Sequence, residues 1–435
     1  MNEKRMKAFS LTTLGFAALA LVLVAYSFDR GVLVMMHYIC PLVCAFAGLA
    51  LVGGRYRRQS DLWIGAAFVG WYVISRMLLG ERYLDHSFMM FSNLCCAYLL
   101  AFPFARSTGD GLRKSGLKMV SVIFLAAYGV LAWAGVLSAL LCTPITLPGL
   151  GTEIKIHTDR RLWAGNHPNI SACMFLIAIM LAVWLIAVSS KRWLAVPAVL
   201  LAAGAYAGIA LADSRTAMLQ VGCFAAGAVF LGMLRLPVRA LWKRIVIGFA
   251  AGATCLALVF VSFGWTAQFI ADVSATMSAL AETAQKTKVA TRSIWNDLAT
   301  MTGRTNIYAK LLQVVAERPS ILGAGLLNSE IVQIIRGASG VEHAHNAYLQ
   351  TLLNMGLPGL LMAAYFTLRA GWIACRLVFS RRAAFADQLL AVMLLVLLVS
   401  AISEPYLFTE YLTLANMPFF LIFGYALEAE CAQRE

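Results

Sequence analysis

Asn169-Ile-Ser-Ala-Cys-Met-Phe-Leu-Ile-Ala-Ile-Met-Leu-Ala-Val-Trp-Leu-Ile-Ala-Val-Ser189 contains no charged side chain. At about 1.5 Å per helical residue, such a stretch spans the roughly 30 Å hydrocarbon core of a bilayer. Only helices and closed barrels can cross lipid, because every backbone polar group must be satisfied internally. Barrel strands would alternate apolar and polar residues, and this run does not. Comparable runs predict spans at 9–28, 31–52, 61–80, 87–105, 119–141, 194–212, 217–234, 245–264, 346–368, 384–402 and 406–427. With 169–189 they make an all-α polytopic membrane protein of about twelve transmembrane helices. The composition agrees: 61% hydrophobic, 13% charged and a mean hydropathy of +0.78. A soluble chain would be about a quarter charged.

The formal net charge of +14 would suit nucleic acid, but the placement of the basic residues argues for topology instead. Lys4, Arg5 and Lys7, then Arg55, Arg57 and Arg58, then Arg106, Arg113, Lys114 and Lys118 fall between alternate spans. Lys191 and Arg192, then Arg235, Arg239, Lys243 and Arg244, and finally Arg369, Arg376, Arg381 and Arg382 continue the pattern. The short connections on the other side hold only Arg30, Arg82 and Arg215. The positive-inside rule therefore places both termini in the cytoplasm. The first run, Phe9 to Phe28, is too long for a cleaved signal peptide and lacks a clear cleavage site.

Of the ten cysteines, Cys40, Cys44, Cys95, Cys96, Cys173, Cys223, Cys255 and Cys375 sit inside apolar runs, and no C-x-x-C pair occurs. They read as small membrane-embedded side chains rather than a zinc or redox site. The expected organisation is spans one to nine over 1–264, a large outer loop over 265–345, and the last three spans with a cytoplasmic tail over 346–435. Within the first part, a shorter outer loop covers 142–168, where Pro144, Pro148, Gly149, Gly151 and Gly165 predict irregular backbone. In the large loop, Ile270, Val273, Met277 and Leu280 form a helical stripe, and a second helix is expected from Asn306 to Glu317 before Pro319. Loops this long are usually functional.

Candidate chemistry lies on that outer side. Arg215 sits in the turn Asp213-Ser-Arg-Thr216, and Arg304 in Thr302-Gly-Arg-Thr305. Arginine suits bidentate phosphate binding, although Arg215 could equally pair with Asp213 and Arg304 could be an exposed helix charge. His343 and His345 lie in Glu342-His-Ala-His-Asn346, where the chain re-enters the membrane. They read either as loop histidines or as a general base, since neutral imidazole is suited to taking a proton near pH 7. Glu342 alone is too little for a metal site. His157, Arg160, Arg161 and His167 make the first outer loop basic, which suits an anionic headgroup or acceptor. Arg76, four residues from the outer end of its span, is expected to snorkel, and His37 to hydrogen-bond within the bundle. No D-x-D occurs, so no metal and no cofactor are expected, and a phosphate leaving group would need cationic side chains.

The segment His345-Asn-Ala-Tyr-Leu-Gln-Thr-Leu-Leu-Asn-Met-Gly-Leu-Pro-Gly359 resembles the O-antigen ligase family. The family pattern is His, then Asn, Ser or Gln, nine residues, Gly, two residues, Gly. The Arg215 turn is similar to the family's Ser-Arg motif, and Thr302-Gly-Arg304 with the glycines at 323 and 325 to its Gly-Arg segment. The resemblance implies a GT-C-like fold and transfer of a polysaccharide from undecaprenyl pyrophosphate to lipid A–core oligosaccharide. That reaction takes place at the periplasmic face of a Gram-negative inner membrane. It also implies that Arg215 and Arg304 bind the donor pyrophosphate and that His345, with His343 second, acts at the acceptor hydroxyl. Arg161, His167 and Asn346 are secondary candidates. One direct displacement would invert the anomeric centre. A glycan polymerase or protein O-oligosaccharyltransferase of the same superfamily shares the donor. A polytopic transporter would explain the spans but not the long outer loop, and no internal repeat supports it.

Overall fold

The computed structural model describes residues 60–79, 110–147, 152–157, 161–165, 167–238, 240–280, 304–317, 321–324, 344–409 and 413–433. In chain order these form α1 (Ser60–Leu78), α2 (Asp110–Leu141), β1 (Ile145–Leu147), β2 (Thr152–Ile156) and β3 (Leu162–Ala164). There follow α3 (Pro168–Val188), a 3-10 turn (Arg192–Leu194), α4 (Ala195–Ala212), α5 (Arg215–Leu234) and α6 (Leu241–Leu280). The last elements are α7 (Arg304–Glu317), α8 (Ala347–Phe379), α9 (Phe385–Ser403) and α10 (Thr413–Cys431).

Among the described residues, seven helices are long and apolar enough to cross a membrane. The protein is thus an all-α polytopic membrane protein. The spans expected at 9–28, 31–52 and 87–105, and His37, lie outside the described residues; the other nine expected spans each fall on a helix.

Three boundaries differ from expectation. The ninth span does not end at 264: α6 continues unbroken to Leu280. Its 40 residues make a rod of about 60 Å, twice the hydrocarbon thickness. Hydropathy falls after Trp265, but no proline interrupts the helix there. The connection at 142–168, expected to be irregular, holds a three-stranded antiparallel sheet in the order β1-β2-β3 among its described residues. Strands of three to five residues are too short for alternation to stand out among prolines and glycines. The twelfth span begins at Thr413 rather than 406. Tyr406, Leu407 and Phe408 are instead a buried turn, with Phe408 in the left-handed region at φ 62°.

The described residues pack as two units. One draws on the described residues of 110–280 and 377–396, the other on those of 60–79, 304–376 and 397–433. In the first unit α3 is apolar on all sides, and Met174, Phe175, Leu176, Ile177 and Ala178 are fully buried, the mark of a central helix. Small residues on α4 let its neighbours approach: Trp133 of α2 packs on Gly204 and Phe175 of α3 on Gly208. Between apolar helices in lipid, such close packing rather than water exclusion supplies much of the association. The Trp133 indole N–H donates to the Leu200 carbonyl at 2.9 Å. Arg235 donates to Gln388 Oε1 at 2.8 Å and to the Ala383 carbonyl at 2.9 Å.

The second unit is organised by a break in α8. Gly356 has φ 68° and ψ −164°, a conformation that leaves carbonyls of the preceding turn without their helical donors. Two other segments supply donors: the Ala324 amide to the Leu353 carbonyl at 2.6 Å, and the Trp71 indole to the Met355 carbonyl at 2.8 Å. A Cβ on Gly356 would collide with the Ile321 carbonyl, and one on Gly323 (φ 80°) would lie 2.6 Å from the Leu353 carbonyl. The spacing from His345 to Gly356 and Gly359 thus encodes a helix start and a kink. On α8 and α10, Phe366, Phe419, Phe420 and Phe423 form edge-to-face contacts that include Phe408. Arg76 does not reach out to water; it is 5% exposed, with its guanidinium over the Tyr72 ring at 5.5 Å.

Candidate active site

The start of α8 is held from several sides. Asn346 is its N-cap: Oδ1 accepts from the Leu349 amide at 2.9 Å, and its carbonyl accepts the first helical bond from Gln350 at 2.9 Å. Asparagine is among the best residues for this position. The Gln350 side chain turns back to accept from the Ala344 amide at 2.8 Å. Between them His345 has φ 50°, a left-handed conformation that is strained for a residue with a Cβ. Strain of this kind persists where the surroundings over-determine it and concentrates at functional sites.

The amphipathic α7 packs on that start. Ile307 and Leu311 are buried against Leu349 and Leu353, with Ala344 beneath them. Burial of each such aliphatic side chain contributes about 1.5–3 kcal/mol. One turn above Ile307, this packing brings Arg304, the first residue of α7, beside His345. The Tyr308 hydroxyl lies 2.8 Å from the His345 carbonyl and 3.2 Å from the Ile402 carbonyl. Burial pushes the Tyr308 phenol above its ordinary range, and the Arg304 charge and an Asn346 hydrogen bond pull it part of the way back. The phenol therefore keeps its proton near neutrality and acts as a donor.

The third component comes from the turn after α9. Glu404 is 3% exposed. Its Oε1 accepts from Arg304 Nη2 at 3.1 Å, and its Oε2 lies 3.5 Å from His345 Nδ1. The turn is fixed by Asn416 of α10, which accepts from the Phe408 amide at 2.7 Å and donates to the Thr409 carbonyl at 2.9 Å. Thr409 also donates to the Pro405 carbonyl. Asn346 Nδ2 reaches the Ile402 carbonyl at 3.2 Å. At that distance a carboxylate can orient an imidazole ring through its Nδ1 edge.

Arg304, His345 and Asn346 are thus brought together in one unit. His343, Gly303 and Gly325 lie outside the described residues. Glu404 and Tyr308 were not anticipated from sequence. Glu404 stands in a short apolar connection far along the chain from His345, with no local pattern to mark it.

In the other unit, Arg215 is the first residue of α5 and is half-buried. The two preceding residues connect α4 to α5, with Asp213 left-handed at φ 46°. Arg161, expected to face an external anion, is engaged inward: Nε donates to the Ala212 carbonyl at 2.8 Å and Nη2 to Asn169 Oδ1 at 2.6 Å. It also lies 3.5 Å from the Asp213 carbonyl, and so braces the turn that presents Arg215. His167 is the N-cap of α3, with Nδ1 3.4 Å from the Asn169 amide.

Residues 198–364 match the family model described as O-antigen ligase. The match covers Arg215, Arg304, His345, Asn346, Gly356 and Gly359, and stops short of Glu404. No curated protein matches the chain closely enough to count as a relative.

Proposed function

We propose that this chain, whose residues 198–364 match the O-antigen ligase family model, transfers polysaccharide from undecaprenyl pyrophosphate onto lipid A–core oligosaccharide. The reaction is placed at the periplasmic face of a bacterial inner membrane, is metal-independent and inverts the anomeric centre. The observation that carries this reading is the contact of one buried carboxylate, Glu404, with both Arg304 and His345.

In this scheme His345 Nε2 takes the proton of the acceptor hydroxyl as that oxygen attacks the anomeric carbon. The bond to the pyrophosphate oxygen breaks and its electron pair leaves with the undecaprenyl pyrophosphate. Glu404 stabilises the imidazolium that forms. General base catalysis of this kind contributes about 10²–10⁴-fold. Arg215 and Arg304 neutralise the leaving group without reorganising at the moment of reaction.

A structural detail supports their role. Each arginine is the first residue of a helix, where the positive end of the macrodipole disfavours a cation by about 0.3–1 kcal/mol. An anion held there, by backbone amides and guanidinium together, reverses that penalty.

The test is the lipopolysaccharide of a deletion strain. Core lacking polymer, with full-length polymer retained on undecaprenyl pyrophosphate, is the expected result. Single-repeat caps would indicate a polymerase, and unchanged lipopolysaccharide would rule out both.

A further inference from the structure

The sheet of the first outer loop has two unlike faces. On one, Ile154 and Leu162 are fully buried and Ala164 nearly so. Leu162 packs on Gly135 of α2, and Ser138 of α2 donates to the Ile154 carbonyl at 3.0 Å. Alternation along the strands sends Glu153, Lys155, His157 and Trp163 to the opposite face. The antiparallel register sets Lys155 directly across from Trp163.

On that face three rings form one aromatic surface. The Trp163 centroid is 4.9 Å from His157 and 5.5 Å from His167. Both imidazoles belong to exposed residues. Beside them Lys155 Nζ and Glu153 Oε2 are 2.6 Å apart. The ion pair leaves the polar part of the face close to neutral, while Arg161 is directed to backbone carbonyls. An anionic headgroup is therefore a poor fit. A neutral hydroxylated ring fits well: its electropositive C–H face stacks on the negative face of an indole, and its hydroxyls meet the imidazoles, ammonium and carboxylate at the rim.

We infer that this face, centred on Trp163, is a sugar-binding platform that holds a pyranose ring of the donor polysaccharide. The choice of donor over acceptor rests on the function proposed above and on chain connectivity. Arg161, two residues before Trp163, is tied to the Ala212 and Asp213 carbonyls, at the turn that presents the pyrophosphate-binding Arg215. A ring on Trp163 is thereby indexed to the headgroup from which the donor glycan extends.

The experiment measures binding of polysaccharide released by mild acid from the strain's own lipopolysaccharide to the purified full-length protein, alongside donor KM in the transfer assay. Trp163→Ala should weaken polysaccharide binding and raise donor KM about tenfold, with kcat at saturating donor unchanged. Trp163→Tyr should retain most of both. Should Trp163→Ala fail to insert, Lys155→Ala, at an exposed ion pair, should weaken the same binding roughly threefold. Unchanged binding in these variants, no polysaccharide binding by the wild type, or binding of core oligosaccharide in place of the polysaccharide would overturn the platform. Polysaccharide binding that depends on Trp163, in a protein that transfers nothing to lipid A–core, would overturn the proposed function and leave the platform standing.

Discussion

His345 Nδ1 stands 3.5 Å from Glu404 Oε2, across a sequence separation that joins the start of α8 to the turn after α9. The left-handed backbone of His345, its N-capping neighbour and the Tyr308 hydroxyl on its carbonyl all hold the imidazole toward that carboxylate.

Glu404→Gln retains size and one acceptor but not charge, so the imidazolium loses its counter-charge at the moment it forms. We expect kcat to fall on the order of 10²-fold with donor KM changed little. Glu404→Ala should in addition lower the melting temperature, because it leaves the partly buried Arg304 without the carboxylate it contacts. Steady-state kinetics and thermal melts in detergent check both, and an active Glu404→Gln would remove Glu404 from the chemistry.

Replacement of His345 by Ala should remove about 10²–10⁴-fold of turnover and leave donor binding intact. His343→Ala should cost less. Single-turnover transfer and equilibrium binding of labelled donor separate the two outcomes. If His345→Ala lost donor binding while the chemical step survived, the histidine would be a phosphate ligand.

Arg215→Ala and Arg304→Ala should each abolish transfer in protein that still inserts and purifies normally. Lysine should rescue poorly at both positions, since one ammonium cannot reproduce a bidentate fork. Aggregation of either alanine variant would instead assign that arginine to the fold.

Gly356→Ala should be strongly destabilising. A left-handed φ costs a residue with a Cβ about 1–2 kcal/mol, and the added carbon meets the Ile321 carbonyl. Gly371→Ala, on the same helix with nothing within 4 Å of the added carbon, should be neutral or stabilising by up to about 1 kcal/mol. Thermal melts of the pair are the measurement, and equal melting temperatures would contradict the kink's structural role.

Chelation should leave turnover unchanged in the purified system, because the proposed mechanism assigns the leaving group to arginines and the sequence holds no D-x-D. Loss of activity on chelation, restored by magnesium or manganese, would refute a metal-independent mechanism.

Hydropathy alone determined the class of this protein. Runs such as Asn169–Ser189 admit a helix crossing lipid and little else, since an unpaired backbone group has no partner there. The helix of the large outer loop was legible too: its expected limits, Asn306–Glu317, differ from α7 only at the start. The residues from His345 to Gly359 marked a candidate site because their types and spacing are local properties of the chain. What only the tertiary structure decided is which charges meet. Arg161 looked like part of a basic surface, and it braces a turn because helix-end carbonyls happen to lie within its reach. Glu404 carried no local pattern. It became a partner of Arg304 and His345 only when Asn416 closed the turn after α9 and Ile307 and Leu311 seated α7 on α8. Such contacts depend on segments far apart in sequence, and no periodicity within any one of them records the others.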